Sequence, residues 1–289
     1  MSIFRILNTT IRSQPIGDTV GSIPIMQPNK SIIFTMPGGY DGAVTLFSPA
    51  GYLQQVEYAQ QAVQRGSTVV ALRTKDCIVM GVEKRAVEPL QIERTVRKII
   101  KLDDHLVITF AGLTADARIL VKRAQEEAQN HRRNFERPAS VEYITRFMAR
   151  LKQHYTQSNG RRPFGVSCLI GGFDMDGQPH LYQTEPSGIY YEWSANTTGR
   201  LGKTVREHLE NNSAEIASVS DEAAAIKQVV RTLVMSTGLD ASFYELAVLQ
   251  HKQPLQVVSP STVAHLVQVI KRENADKEAR LKQQLTRGT

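Results

Sequence analysis

The amino-acid sequence predicts an α+β fold in which antiparallel sheets are covered on the outside by helices. The apolar period changes along the chain in the order strands, two helices, strands, two helices, strands and a final helix. Short polar turns separate most successive strands, as in hairpins, whereas parallel strands need a longer crossover connection. These observations disfavour a doubly wound parallel sheet.

The first helix, at residues 52–64, is predicted from the helical spacing of Val56, Ala59 and Val63, with Gly66 as its stop. The strands around it are predicted from short apolar runs that are bounded by polar turns. In chain order these extended segments lie at 44–47, 68–72, 77–82, 96–102 and 106–111.

Two consecutive helices are predicted within residues 114–157, with Pro138 between them. Each carries an apolar stripe at helical spacing, which marks the face that packs on a sheet. The first stripe is Ala117, Leu120, Val121, Ala124 and Ala128, and the second is Val141, Ile144, Met148, Leu151 and Tyr155.

The remaining third repeats the alternation of strands and helices. Strands are predicted at 166–173, 179–183, 189–193, 245–250 and 256–258, and helices at about 200–211 and 221–237. Ser220 and Gly238 are the expected cap and stop of the second of these helices. A last helix begins at Ser259-Pro260, and we expect its polar end, 271–289, to fray.

Composition argues against several classes of protein. No stretch approaches the ~18–20 apolar residues of a membrane helix. The net charge of +7 is spread along the chain beside acidic residues, with no basic block between aromatics, so no nucleic-acid partner is predicted. Cys77 and Cys168 lie in apolar runs and are predicted to be buried thiols, which suits a reducing compartment.

No metal or cofactor site is predicted. The seven histidines include no pair with metal-ligand spacing. Asp174-Met175-Asp176-Gly177 resembles the start of a calcium loop but lacks the later ligands, and a turn between strands explains it better. Gly171-Gly172 precedes no phosphate-binding helix.

Ser67 is the candidate nucleophile, because some hydrolases use a hydroxyl at the head of such a hairpin. The chain has no GxSxG elbow, which leaves the amine of Ser67 itself as the possible base. That amine exists only if the chain is cut after Gly66, which would remove the predicted helix at 52–64. In an intact chain the nitrogen is an amide, whose lone pair is delocalised.

Glu83 and Lys98 lie where such a nucleophile would need an acid and a lysine. Glu83 is followed by Lys84 and Arg85, however, and pairing at the surface is the favoured interpretation. Without a free amine, Ser67 is predicted to be an inert hydroxyl that bonds nearby backbone.

Several motifs follow one another along residues 36–285. They are Tyr40-Asp41, Phe47-Ser48-Pro49-x-Gly51, Gln55-Val56-Glu57-Tyr58-Ala59, Arg65-Gly66-Ser67-Thr68, Gly81-Val82-Glu83-Lys84, Gly112-Leu113-x-Ala115-Asp116-Ala117-Arg118 and Tyr155-Thr156-Gln157-Ser158-Asn159-Gly160-Arg161-Arg162-Pro163-Phe164-Gly165. Together these motifs resemble the proteasome alpha subunits, and the resemblance does not cover residues 1–35. The run from Tyr155 to Gly165 is most similar to the alpha type-7 group, at the fourth position of the eukaryotic ring.

The resemblance implies a four-layer αββα sandwich of the N-terminal nucleophile hydrolase-like kind, with two antiparallel sheets between helix layers. It implies a non-catalytic subunit of the outer seven-membered alpha ring of the 20S particle, acting in ubiquitin-dependent protein degradation. The implied partners are other alpha subunits, beta-ring subunits and a regulatory particle or other activator, in cytoplasm and nucleus. No membrane, nucleic acid, metal or cofactor is implied.

The resemblance also implies site residues. Tyr40, Asp41, Pro49 and Tyr58 would form a gate cluster that holds an amino-terminal tail, with a core aromatic as the alternative for Tyr58. Lys84 would meet the carboxyl terminus of an activator in a pocket between alpha subunits, with an exposed lysine as the alternative.

The sequence departs from the family pattern at Gly42, where Arg is usual, and at Ala50, where Asp is usual, with Tyr52 two residues further on. A glycine lacks the guanidinium that could pair across subunits, so the hold on the tail is expected to be weaker or made differently. Residues 1–35 are an unmatched leader that we expect to be disordered or absent from the mature protein, and residues 36–289 a single domain with a polar carboxy-terminal helix.

Overall fold

The computed structural model describes residues 43–84, 90–92, 95–219, 221–238 and 240–287. Within these residues, seven helices and ten strands alternate largely as the sequence predicts. The helices are α1 (Gln54–Gln64), α2 (Thr114–Phe135), α3 (Val141–Gln157), α4 (Gly202–Asn211), α5 (Ser213–Ser218), α6 (Glu222–Thr237) and α7 (Pro260–Arg287). The strands are β1 (Val69–Arg73), β2 (Cys77–Glu83), β3 (Ile99–Asp103), β4 (Leu106–Gly112), β5 (Val166–Phe173), β6 (Pro179–Thr184), β7 (Tyr190–Glu192), β8 (Ala195–Thr198), β9 (Tyr244–Gln250) and β10 (Gln256–Val257).

The strands form two five-stranded sheets, in which every pair of neighbours is antiparallel. The first sheet has the order β10-β9-β2-β1-β8 and the second the order β3-β4-β5-β6-β7. The predicted antiparallel α+β fold is therefore confirmed. No helix among the described residues is long and apolar enough to cross a bilayer.

Three apolar layers hold the sheets and helices together, which gives the four-layer sandwich. Side chains of β1 alternate between layers: Val70 and Leu72 face α4, α6 and α7, whereas Val69 and Ala71 face the second sheet. The apolar stripes of α2 and α3 cover the other face of the second sheet. Both sheets are therefore buried on both faces, which explains why their central strands read as nearly continuous apolar runs.

Several local predictions are confirmed. Cys77 and Cys168 are buried free thiols. The calcium-like segment is a turn, in which the Asp174 amide donates to the Gln178 carbonyl at 3.0 Å and Gly177 has φ +80°. The Asp174 carboxylate accepts from the Val141 amide at 2.8 Å, so the turn also caps the start of α3.

Other local predictions are wrong at short or polar segments. The four-residue strand β8 and the six-residue helix α5 are absent from the sequence-based prediction, because neither is long enough to show a period. Residues 44–47 form a turn, with only a single bridge from Phe47 to Leu53. The strand predicted at 96–102 begins at Ile99, and residues 96–98 precede it without regular structure.

The last helix, α7, runs to Arg287, and the expected fraying of its polar end stays a prediction. Residues 271–287 contain neither Gly nor Pro and consist mostly of Lys, Glu, Gln, Ala, Leu and Arg. These are strong helix formers, so a polar sequence there continues the helix. The predicted Ser220 cap lies outside the described residues, and Asp221 is at the N-cap of α6.

A fully buried lysine links α3 to the second sheet through hydrogen bonds. The Lys152 ammonium donates to the Val166 carbonyl at 3.0 Å, the Thr184 carbonyl at 3.0 Å and the Thr184 hydroxyl at 2.8 Å. Burial lowers the pKa of Lys152, because a charged ammonium is disfavoured away from water. The three acceptors bridge the beginning of β5 and the end of β6, so this side chain fixes α3 on the sheet.

Candidate functional site

The candidate nucleophile lies where α1 leads into β1. The Gly66 amide donates to the Val63 carbonyl at 2.8 Å and closes the end of the helix. Gly66 then passes so close to Gly112, at the end of β4, that a Cβ on Gly66 would lie 2.3 Å from the Gly112 nitrogen. Any other residue would clash with backbone there, so this glycine allows the helix to join the sheet directly.

The Ser67 hydroxyl is bound by a lysine side chain. Ser67 is 1% exposed, and its Oγ accepts a hydrogen bond of 2.7 Å from Nζ of Lys98. The prediction that Ser67 bonds nearby backbone is therefore wrong about its partner. A lysine ammonium has three donors and no acceptor, so in its charged form Lys98 cannot remove the serine proton.

Glu83, the last residue of β2, binds the backbone next to Ser67. It is 2% exposed, with Oε2 accepting from the Thr68 amide at 3.2 Å and Oε1 accepting from the Arg200 guanidinium at 2.6 Å. The prediction that Glu83 pairs at the surface with Lys84 is wrong, because β2 is buried between β1 and β9 to its last residue. The carboxylate thus orients the backbone beside Ser67 and not its hydroxyl.

The geometry orients the hydroxyl but does not activate it. The Gly66 carbonyl accepts from the Arg200 amide at 3.2 Å, as an ordinary peptide group between α1 and β1. The Ser67 nitrogen belongs to that peptide and is not basic. Among the described residues, the Ser67 hydroxyl accepts from Lys98, and the Ser67 nitrogen of an uncut chain is an amide that cannot serve as the base.

A cavity of about 640 Å³ opens beside Ser67. Its described lining contains two cationic side chains, Arg65 and Lys98, and no Asp or Glu. Ala62, Val96 and Leu113 add apolar surface among neutral polar side chains, so a carboxylate that carries an apolar group matches the chemistry of this cavity. The lining consists of Tyr58, Gln61, Ala62, Arg65, Gly66, Ser67, Gln91, Val96, Lys98, Gly112, Leu113 and Thr114. We call this the Ser67 cavity.

The predicted gate cluster is only partly within the described residues. Tyr40 and Asp41 lie outside them, as does Gly42. Pro49 is exposed in a turn, and Tyr58 is 44% exposed on α1, where it lines the Ser67 cavity. The alternative that Tyr58 is a core aromatic is therefore wrong, whereas the cluster itself stays a prediction.

Lys84, the predicted pocket lysine, is half-buried directly after β2. Its amide donates to the Phe243 carbonyl at 2.6 Å, and the lining of the Ser67 cavity does not include it. Burial raises the pKa of the nearby Glu245 carboxyl, and the charge of Lys84 opposes that shift. Two lysines are thus candidates for meeting a carboxylate, and Lys98 is the one that lines the cavity.

An ion pair that sequence reasoning missed joins two of the motifs. Asp116, 4% exposed near the start of α2, accepts from the Arg162 guanidinium at 2.6 and 2.7 Å and from the Gly165 amide at 3.1 Å. Burial alone would raise the pKa of Asp116, but these bonds and the charge of Arg162 lower it below its ordinary value. The sequence signal was present, because both residues belong to the quoted motifs.

Two models of a known protein family match this chain. Residues 63–249 match the family model described as "Proteasome subunit", and residues 40–62 match the model of the N-terminal signature of A-type proteasome subunits. The latter range includes all four predicted gate residues. The resemblance drawn from the motifs is confirmed.

Individual relatives match this chain over nearly their whole length. The proteasome alpha type-7-1B subunit of Drosophila virilis is 65% identical over 234 residues, which is 81% of this chain and 95% of that protein. The proteasome alpha type-8 subunit of Mus musculus is 53% identical over 243 residues, 84% and 97% of the two chains. The proteasome alpha type-7-like subunit of Macaca fascicularis is 54% identical over 241 residues, 83% and 96% of the two chains.

The Asp116–Arg162 pair makes stability depend on pH. Because the pKa of Asp116 is lowered on folding, its contribution is complete above the unfolded value of 3.8 and is lost as pH falls below it. We expect Asp116→Asn to cost about 2 kcal/mol at pH 7 and to reduce the loss of unfolding free energy between about pH 5 and 2. Urea unfolding at several pH values measures this, with the exposed Asp76→Asn as control. Parallel pH curves for wild type and Asp116→Asn would contradict it.

Proposed function

The chain belongs to the proteasome subunit family and carries its alpha-type amino-terminal signature, and on this premise we propose that it is a non-catalytic subunit of the outer alpha ring of the 20S particle. In that ring it would lie among seven alpha subunits and stack on a beta ring that performs the proteolysis. The corresponding process is ubiquitin-dependent protein degradation in cytoplasm and nucleus.

One observation carries the non-catalytic proposal. The cut that would free the amine of Ser67 would also remove a packed helix, and the Ser67 hydroxyl already accepts from Lys98 at 2.7 Å. The helix that would have to be removed, α1, is seated by Val56, Ala59 and Val63, all buried. A chain that keeps α1 therefore also keeps the amide at Ser67, because a single cut after Gly66 would remove both.

Native mass spectrometry of particles purified through a tag on this chain tests the ring assignment. We expect the tagged chain in a seven-membered alpha ring with six other alpha-type chains, and no tagged chain in the beta rings. Recovery of the tagged chain only as a monomer, or within a beta ring, would contradict the assignment.

For the gate, we propose that Tyr40, Asp41, Pro49 and Tyr58 hold an amino-terminal tail at the pore. The exposure of Pro49 and of Tyr58 supports this, since both are accessible to a tail. A tyrosine hydroxyl that bonds a carboxylate contributes about 1.5–3 kcal/mol when it is shielded from water. The tail would be held less firmly without it.

Substitution of Tyr58 by phenylalanine tests the gate. In assembled particles without activator, Tyr58→Phe is expected to raise the rate of short-peptide hydrolysis several-fold, because a weaker hold opens the pore more often. Tyr52→Phe is the matched control, since Tyr52 is also exposed, at 57%, but lies outside the proposed cluster. Equal basal rates in wild type and Tyr58→Phe would remove Tyr58 from the gate.

For activator docking, the structure favours a different lysine from the one named by the resemblance. A carboxyl terminus needs both a cation and space for the residues that precede it, and the Ser67 cavity offers both beside Lys98. Lys84 is not among the described residues that line the Ser67 cavity. We therefore propose Lys98 as the docking lysine and retain Lys84 as the alternative.

A matched pair of variants separates the two lysines. In assembled particles, Lys98→Ala is expected to reduce photo-crosslinking of an activator's carboxy-terminal peptide to this protein by about tenfold, as expected for a lost charge-assisted bond. Lys84→Ala is expected to leave it unchanged. The reverse result would assign docking to Lys84, and unchanged crosslinking in both would end the docking proposal, while native mass spectrometry still reports on ring membership.

A further inference from the structure

A second large cavity lies at the opposite end of β1 from Ser67. It has a volume of about 690 Å³ and runs between helices α4 and α5 on one side and the β1–β2 turn and β8 on the other. Its lining consists of Arg73, Thr74, Lys75, Gln178, Pro179, Trp193, Ser194, Ala195, Asn196, Arg206, Leu209, Glu210, Ser213, Ile216 and Val219. We call this the Trp193 groove, after the only tryptophan of the chain.

The groove has an apolar floor. Leu209 and Ile216 are 7% and 8% exposed, and they belong to the core between the helices and the first sheet. The Trp193 ring, Pro179 and Val219 continue this surface. One aliphatic or aromatic side chain of a ligand would therefore be shielded from water on the floor.

Cationic side chains surround the floor. The Arg206 guanidinium lies 5.5 Å from the centroid of the Trp193 ring, and Lys75 is exposed at the β1–β2 turn. Neither has a carboxylate within ion-pair distance among the described residues. Arg73, by contrast, is already paired with Glu192 at 2.7 Å. Glu210 is the one acid among the lining residues, so two cations remain for a ligand.

Trp193 and Arg206 each have an N–H donor that could bind a further acceptor. Nε1 of Trp193 and Nε of Arg206 are buried and have no acceptor within the part of the chain that the structure describes. Buried donors without partners cost free energy, and an occupant rich in carboxylates would bring acceptors to this corner. Both the charge and the hydrogen-bonding deficit thus favour an acidic ligand.

The edge of β8 limits how a peptide can bind. β8 is an outer strand of its sheet, but the Thr197 amide is bonded by Oδ1 of Asn196 at 2.8 Å, and the Thr197 carbonyl lies 3.5 Å from the Arg206 guanidinium. Strand addition would have to displace these side chains. Recognition through ligand side chains is therefore the mode that the groove allows.

We propose that the Trp193 groove binds an acidic linear peptide segment of a partner protein. One apolar side chain of the segment lies on the Leu209–Ile216 floor, and carboxylates on either side of it pair with Arg206 and Lys75. The apolar floor favours a peptide over a nucleic acid, whose phosphates would use the cations and not the floor.

Intrinsic fluorescence tests the proposal directly, because Trp193 is the only tryptophan. The purified full chain is titrated with a blocked Asp-Glu-Leu-Phe-Glu-Asp peptide, which should give a saturable change in emission. Asp-Glu-Gly-Ser-Glu-Asp lacks the apolar anchor, and Lys-Lys-Leu-Phe-Lys-Lys reverses the charge. Each is expected to bind at least about tenfold more weakly, as expected for loss of a buried anchor or of charge pairing.

Two variants and a control locate the site. Arg206→Gln and Lys75→Gln are each expected to weaken binding of the acidic peptide about three- to tenfold, as for loss of one partly exposed ion pair. Lys203→Gln, an exposed lysine on the same helix as Arg206 but outside the groove lining, should bind as the wild type does. Circular dichroism confirms that the variants are folded.

Three results would overturn the proposal. The first is no saturable change with the acidic peptide. The second is equal binding of the basic peptide or of the Arg206→Gln and Lys75→Gln variants. The third is tighter binding of a short oligothymidylate that competes with the peptide, which would make the groove a nucleic-acid site. None of these results affects the ring assignment, which rests on native mass spectrometry of the assembled particle.

Discussion

The peptide bond between Gly66 and Ser67 is the constraint on which the rest of the site depends. It ties α1 to β1 across a gap so narrow that Gly66 has no room for a side chain beside Gly112. As long as this bond is uncut, the nitrogen next to the Ser67 hydroxyl is an amide and not an amine. The described side chains around it hold this part of the fold together: Lys98 binds the hydroxyl, and Glu83 holds the Thr68 amide and Arg200. A hydroxyl, a lysine and a carboxylate thus lie together, and the amine that would serve as their base exists only after a cut at Gly66.

Retaining α1 also shapes the space beside the serine. One face of α1 is buried in the sandwich, and its outer face supplies Tyr58, Gln61 and Arg65 to the wall of the Ser67 cavity. Tyr58 lines this cavity and belongs to the proposed gate cluster. Lys98 also lines the cavity and donates to the Ser67 hydroxyl. A ligand in the cavity would touch both residues, so the proposed docking site and the proposed gate cluster would adjoin each other.

The sequence predicted the fold well where burial is continuous, and less well where it is not. The stripe of Ala117, Leu120 and Ala128 and the central strands were recognisable, because a buried face imposes a period. The strand β8 was missed, since it is four residues long and held by pairing with β1, which no local pattern records. The predictions about the site were likewise right where chain connectivity decides and incomplete where distant residues meet. The inert amide at Ser67 followed from connectivity alone, whereas the Glu83–Arg200 and Asp116–Arg162 pairs join residues 117 and 46 positions apart.

The most direct measurement of the central claim is peptide mapping of this chain from purified particles, combined with hydrolysis of a fluorogenic peptide by the isolated full chain. Trypsin cleaves after Arg65 and Arg73, so an unprocessed chain yields the peptide Gly66–Arg73, with the critical bond inside it. We predict that peptide, no species beginning at Ser67, and no hydrolysis by the isolated chain. A species that begins at Ser67, with hydrolysis that rises in proportion to its abundance, would contradict the claim.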